Sequence, residues 1–250
     1  MDFTISTYRA LLNELTSQDY YFQTLGEFIQ NPEKKAVILR HDVDAYPVYA
    51  LNTAYLEYEM GIRATYYFKT KAKSYDKRII KEIHQLGHEI GYHYDDLSTA
   101  KGDYEKAITE FAKNLEFLRQ VVPVKTICMD GNAYSRWDNL RLWEKYDYKD
   151  YDILVEPYLD LDFNKILYLT DTGRKWNAVK YSRWDKVKTS FDYYNKNTCD
   201  IISDIKQGKL PDQLLINTHP QRWHNVFLPW LKELVMQNVK NVVKRMVVGR

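Results

Sequence analysis

Short apolar runs, each followed by a polar loop and then by helical periodicity, recur along this chain and leave it few folds to choose from. Ala36–Leu39 runs into RHDVD, and Ala64–Phe68, His88–His93, Val124–Met129, Ile153–Glu156, Ile166–Thr170 and Leu214–Asn217 read as further strands. Between them lie helical stretches at Pro47–Met60, Asp76–Leu86, Tyr104–Val121, Trp137–Lys145 and Asp200–Lys206, with a long closing helix over Val226–Val247. Pro47 sits in a first turn, where its missing N–H costs nothing, and Gly61 and Gly87 stop two of the helices. The first thirty residues read as helical, with Tyr8, Leu11, Leu12 and Leu15 on one face. Strands alternating with helices imply parallel βα units. About seven strands in one chain of this length fit a closed or nearly closed barrel as a single domain, 1–250.

The charge balance narrows the functional classes. Lys and Arg number 36 against 34 Asp and Glu, a net charge of +2, which gives no concentrated basic face for nucleic acid. The 22 Tyr and 6 Trp suit a sugar site, and equally a half-buried core. Cys128 and Cys199 match no metal spacing and read as reduced small hydrophobes. The first residues lack a basic start and an apolar run, and no stretch approaches a membrane span, so the expected location is the cytoplasm.

The strand ends hold the residues that can do chemistry. Asp42 and Asp44, then His93, Asp130, Glu156, Asp171 and His219 each fall at such an end. In a parallel barrel all those ends open on one face, so these side chains are expected to converge. Alternation puts Asp42 and Asp44 on one side of their strand and His41 and Val43 on the other. Two neighbouring carboxylates divide their roles when a cation or a shared proton compensates the repulsion; the bland reading is a helix cap and a solvated Asp. His88 reads as a core histidine, while His93 lies at the rim. His219 fits a general acid or a ligand, and also a loop histidine bonded to backbone. Asp171 either starts a turn, or orients a catalytic imidazole or holds a sugar hydroxyl. In the closing helix, Lys240, Lys244 and Arg245 complement the dipole and the apolar stripe is expected to dock on the barrel; a membrane-surface role is the lesser reading.

The strings LRHDVD, GIRATYYF, GHEIGYHYDDL, SRWDN, YLTDTGR and HPQRW together resemble the polysaccharide deacetylase superfamily with the NodB-homology domain. Within it they are similar to the deacetylase-like branch associated with bacterial O-antigen and capsule assembly. The resemblance spans essentially the whole chain. It implies an α/β fold, a distorted (β/α)7 barrel of the glycoside hydrolase/deacetylase type. It also implies a divalent metal, zinc in many members, held by one Asp and two His, with a second Asp as base and a late His as acid. By position Asp42 corresponds to the base, Asp44 to the metal carboxylate, His93 to the first metal His and His219 to the late acid. Three departures stand out: Val43 separates the two Asp, Leu97 occupies the second metal-His position, and CMDGNAY replaces an Arg-Pro-Pro-Tyr strand end. The third ligand then comes from Asp95, Asp96, Asp130 or His219, with Asp95 taken first, or no metal is tightly held.

The expected activity is metal-dependent removal of an N-acyl group from an amino sugar of a surface-polysaccharide precursor. Asp42, His219 and Asp171 are the candidate catalytic residues, and Asp44, His93 and Asp95 the candidate ligands. Asp130, Glu156, Arg174 and Trp223 are the candidate sugar contacts. A rival, motivated by Leu97, is a degenerate barrel that binds a sugar or a biosynthetic partner without chemistry. A third reading is metal-free chemistry on a nucleotide-linked sugar.

Overall fold

The computed structural model describes residues 1–71, 73–132, 134–176, 183–194 and 196–248, the last four by backbone alone. Helix α1 (Ile5–Ser17) opens on Thr4, whose hydroxyl accepts from the Thr7 N–H while Thr7 reciprocates. The chain then leaves helix. Asp19 adopts φ 58°, and β1 (Tyr21–Gln23) pairs in parallel with Ala36–Ile38 before α2 (Leu25–Gln30) begins. The uniform helical reading of the first thirty residues is therefore corrected: a three-residue strand separates two helices, and it is too short to show a period of its own.

The remaining elements come in βα order. They are β2 (Ala36–Val43), α3 (Pro47–Glu59), β3 (Thr65–Phe68), α4 (Lys77–Gln85), β4 (Glu89–Tyr94), α5 (Asp96–Thr99), α6 (Tyr104–Arg119) and β5 (Ile127–Met129). After them come α7 (Pro157–Asp160), β6 (Ile166–Thr170), α8 (Thr198–Lys206), β7 (Gln213–Thr218) and α9 (Phe227–Val248). The stretch expected as a helix from Trp137 is a 3₁₀ turn, Asn139–Glu144, opened by the Asp138 side chain.

One parallel sheet contains all seven strands, ordered β5-β4-β3-β2-β7-β6 with β1 beside β2. On one edge of β2, β1 occupies the first half and β3 the second, through Arg40↔Thr65 to Val43↔Phe68. The other edge carries β7 from Ala36↔Gln213 to His41↔Thr218. The result is an α/β half-barrel sheet. Between β5 and β6 the described residues form no ladder: the expected strand Ile153–Glu156 makes a single parallel bridge, Thr126↔Val155. That seam is filled by side chains and loop. A Cβ on Gly131 would lie 2.7 Å from the Asp185 Cβ, and the Trp184 indole donates to the Ser135 carbonyl at 3.0 Å.

Alternation sorts the side chains into two layers. Val37, Leu39 and Val43, with Tyr66, Phe68, Ile90, Tyr92, Leu214 and Ile216, pack against the helices in the larger core. Ala36, Ile38, Tyr67, Cys128, Ile166, Tyr168 and Leu215 face inward and fill the floor of the barrel. Fully burying a large apolar side chain of this kind contributes about 1.5–3 kcal/mol. Gly91 is required here, because a Cβ at that position would lie 2.3 Å from the Tyr67 ring. On the helix side His41 bonds the buried Glu57 at 2.8 Å through Nε2, and Tyr8 and Tyr66 donate to the same carboxylate. His88 is a core histidine, accepting from the Ala64 N–H and meeting the Ala54 carbonyl.

Helix α9 overturns an expectation. Its polar residues Gln237 and Asn241 are buried against the protein, while Leu228, Leu231, Val235, Val239 and Val242 are exposed. The apolar stripe therefore faces outward and does not dock on the barrel. The side chain of Arg245 lies outside the described residues.

Candidate active site

The inward layer becomes polar toward the carboxyl ends of the strands. Continuing β2 past Ile38 gives Arg40, Asp42 and, just beyond the strand, Asp44. Continuing β3 past Tyr67 gives Lys69. His93 ends the inward row of β4, Asp130 follows Cys128, and Asn217 and His219 follow Leu215. Together with Gly131, Asn132, Tyr134, Thr172, Asp185, Arg222 and Lys244, most of these line a cavity of about 280 Å³. Its charges are balanced, with Asp42, Asp44, Asp130 and Asp185 set against Arg40, Lys69, Arg222 and Lys244.

Asp44, His93 and Asp130 form the donor group at the centre, with one ligand atom from each lying within 4.8 Å of the others. His93 Nδ1 is 2.9 Å from the Cys128 carbonyl, which can only accept, so Nδ1 donates and Nε2 faces the two carboxylates. Nε2 is 3.9 Å from an oxygen of each. Two carboxylates and an imidazole oriented by its outer bond suit a divalent cation. The same space also receives the Lys69 ammonium, 3.1 Å from Asp44 and 2.8 Å from Asp130. Burial disfavours the charged forms, yet the pairing dominates. Lys69 is held well above the ordinary lysine range by Asp44 and Asp130, and Asp44 well below the carboxylate range by Lys69, His219 and His93.

A second grouping, Asp42, His93 and Cys128, lies deeper. It suits a cation less well. Burial pushes the Cys128 thiol up, away from the thiolate a metal needs. Asp42 is already engaged, accepting from Arg40 Nε at 2.9 Å, Arg40 Nη2 at 2.7 Å and Asn217 Nδ2 at 2.9 Å. Burial opposes its ionisation, but Arg40, with His93 and His219 beyond it, more than offsets that and holds the carboxyl below its usual range. A carboxylate so placed is a fixed anion and a poor acceptor of protons.

His219 and Asp171 meet at the rim. The His219 backbone N–H donates to Oδ2 at 3.0 Å and ring Nδ1 lies 2.7 Å from Oδ1. Arg222 donates to Oδ1 at 2.8 Å, and the Trp223 indole to Oδ2 at 2.8 Å. Burial raises the Asp171 carboxyl, but Arg222 and His219 outweigh it and keep it ionised. Asp171 Oδ1 and Arg222 Nη1, the latter at 2.9 Å, both lie within hydrogen-bond distance of Nδ1, and Nε2 turns inward, 3.7 Å from Asp44.

The other residues singled out in the sequence take up different positions. Asp95 lies outside the cavity lining: β4 ends at Tyr94, α5 begins at Asp96, and the Asp95 carboxylate pairs with Lys71. Leu97 is buried in the helix-side core. Glu156 caps α7 through the Tyr158 N–H at 2.7 Å, also accepts from the Met129 N–H at 3.0 Å, and burial pushes its carboxyl up to about 8. Arg174 donates to the Trp230 carbonyl at 3.0 Å and covers the Phe3 ring, away from the cavity. Trp223 acts through Asp171 and packs on Phe3, Tyr8 and Trp176. The cavity residues that sequence reasoning missed include Lys69, Arg40, Asp185, Arg222 and Lys244. Lys69 emerges from carrying the alternation of β3 one step beyond Tyr67. Asp185 had no such signal, since it belongs to no strand; it accepts from Tyr168 at 2.7 Å and from Thr172 at 3.2 Å.

No family model matches the chain, and no curated protein does. Solved structures similar to it include BA3943, a CE4 family pseudoenzyme from Bacillus anthracis, at 13% identity and TM-score 0.47 over 86% of this chain. A Streptococcus mutans CE4 esterase matches at 14% identity and TM-score 0.46, covering 88% of this chain and 86% of that one. The Bc1960 peptidoglycan N-acetylglucosamine deacetylase matches at 16% identity and TM-score 0.44, covering 83% and 84%. This chain spans 63% of the length of the B. anthracis protein.

Proposed function

We propose that this chain is a hydrolase that removes an acyl group from the nitrogen of an amino sugar, with a divalent cation held by Asp44, His93 and Asp130. The observation that carries the reading is the position of His219 Nε2, 3.7 Å from Asp44, so that a proton-transfer imidazole faces the cation donors. Such a cation, when bound, polarises the acyl carbonyl and lowers the pKa of water. The cavity of about 280 Å³ is close to the lower size of small-ligand pockets and matches one sugar unit.

In this reading His219 is the group that moves protons. With Nδ1–H bonded to Asp171, Nε2 takes a proton from the attacking water, while Asp171 stabilises the imidazolium through Nδ1. The same Nε2 then gives the proton to the departing amine as the C–N bond breaks. Asp42, the base by resemblance, is reassigned: its pair with Arg40 fixes it as an anion that orients Asn217 and shapes the floor. Zinc as the metal and an O-antigen or capsule precursor as the substrate belong to the same proposal, supported by the sequence motifs.

A second reading has one observation in its favour. The Lys69 ammonium, bridging Asp44 and Asp130, occupies the charge position of a cation, and a barrel in which it stays there would bind a sugar without hydrolysing it. Acetate release from N-acetylated amino sugars and their nucleotide-linked forms, with and without added divalent metal, separates the two. Metal-dependent release that falls at least about a hundredfold in His219→Gln supports the hydrolase. No release from any such substrate, or release indifferent to His219, contradicts it.

A further inference from the structure

Helix α9 is an amphipathic helix seated the wrong way round for a free monomer. Asn241 donates to the Gly173 carbonyl at 2.9 Å, Gln237 donates to Asn241 at 2.9 Å, and Lys244 lines the cavity. The opposite face presents Leu228, Leu231, Val235, Val239 and Val242 at helical spacing, with Leu228 73%, Val235 55% and Val239 61% exposed. Phe227, Met236 and Val243 widen the stripe. A continuous apolar face of this length on a monomer marks a surface that something covers.

Charge identifies what covers it. Lys232 and Lys240 are exposed beside the stripe, and Glu233 is the single acid in the whole of Phe227–Val248. A second copy laid along the stripe would bring lysines against lysines with almost no acid to answer them. Anionic headgroups complement those lysines, while the apolar residues enter the acyl boundary. Aromatic residues gather near the start of the helix. Exposed Phe227 begins the helix, and exposed Tyr46 stacks edge-on with Tyr49, which packs on His224 just before it. Rings with polar tips are favoured at that depth. Among the described residues no helix is long and apolar enough to cross a membrane.

We propose that the outward face of α9 docks this protein on an anionic lipid bilayer.

Flotation of the full chain with vesicles tests this, using phosphatidylcholine alone and phosphatidylcholine with about one third phosphatidylglycerol. The wild type is expected to float with the anionic vesicles and to bind the neutral ones at least about tenfold less. Val235→Glu with Val239→Glu should abolish flotation; both side chains are more than half exposed, and circular dichroism checks the fold. Lys232→Glu with Lys240→Glu, which leaves the apolar stripe intact, should lose the preference for anionic lipid. A wild type that floats with neither vesicle overturns the proposal. So does a wild-type dimer by light scattering that the Val235/Val239 variant turns into a monomer with no vesicle binding, which would assign the stripe to a second copy.

Discussion

His219 grips Asp171 twice, through its backbone N–H at 3.0 Å and its ring Nδ1 at 2.7 Å. The two residues come from the ends of β6 and β7, whose ladder runs from Ile166↔Gln213 to Thr170↔Asn217. Asp171 points to the helix side of its strand and His219 to the cavity side, so the pair joins the two layers of the barrel at its rim. An imidazole held in this way keeps one orientation.

Asp171→Asn should therefore affect both stability and chemistry. It leaves Arg222 buried without its counter-charge, and removing one partner of such a pair costs about 3–5 kcal/mol. Denaturant unfolding measures that loss. The sign with pH is fixed as well: the Asp171 carboxyl is held low in the folded state, so its contribution is present above the unfolded pKa and fades as pH falls below about 4. The variant should show less of that acid-side loss than the wild type. At neutral pH, acyl hydrolysis should fall even where the variant is fully folded.

Lys69→Met should tighten binding of a divalent cation. The ammonium neutralises Asp44 and Asp130 and repels any further positive charge between them. Removing one unit charge a few ångströms away is worth at least about 1.4 kcal/mol at a partly buried site, a tenfold change in Kd. Titration calorimetry with Mn²⁺ or Zn²⁺ checks this. Lys71→Met serves as the control, because Lys71 pairs with Asp95 outside the cavity.

Asp96 sets a pH dependence of the opposite sign. Burial raises its carboxyl to about 7, although it accepts from Tyr92 at 2.7 Å and Asn114 at 2.8 Å. The folded state holds a proton that the unfolded chain releases near pH 4, so stability falls as pH rises from about 4 to about 7 and then levels. Asp96→Asn keeps a donor and an acceptor for its two neighbours. Its melting temperature should decline less than that of the wild type across that window; an equal decline would remove Asp96 as the cause.

The sequence made the barrel legible because each strand is a short apolar run with a polar residue just past its end, which gives both the element and the side it faces. Asp42, Asp44, His93, Asp130 and His219 share one cavity for that reason. Asp95 stays out because alternation holds only while a strand lasts, and β4 stops at Tyr94. Lys69 reads in isolation as an ordinary solvated charge; only its parity with Tyr67 turns it inward. Asp185 closes the seam between β5 and β6 from a segment with no regular period, so no local pattern announces it. Periodicity revealed the stripe on α9 but not its direction. The buried amides of Gln237 and Asn241 on the other face, bonded to each other and to Gly173, settle which side meets the barrel.

A cation among Asp44, His93 and Asp130 is the central requirement of the proposed chemistry, and anomalous scattering at the zinc edge, from crystals soaked in excess zinc, tests it most directly. The predicted result is one peak about 2.0–2.2 Å from His93 Nε2 and from an oxygen of each carboxylate, with Lys69 swung aside. No peak at that position, with Lys69 still bridging Asp44 and Asp130, would contradict it.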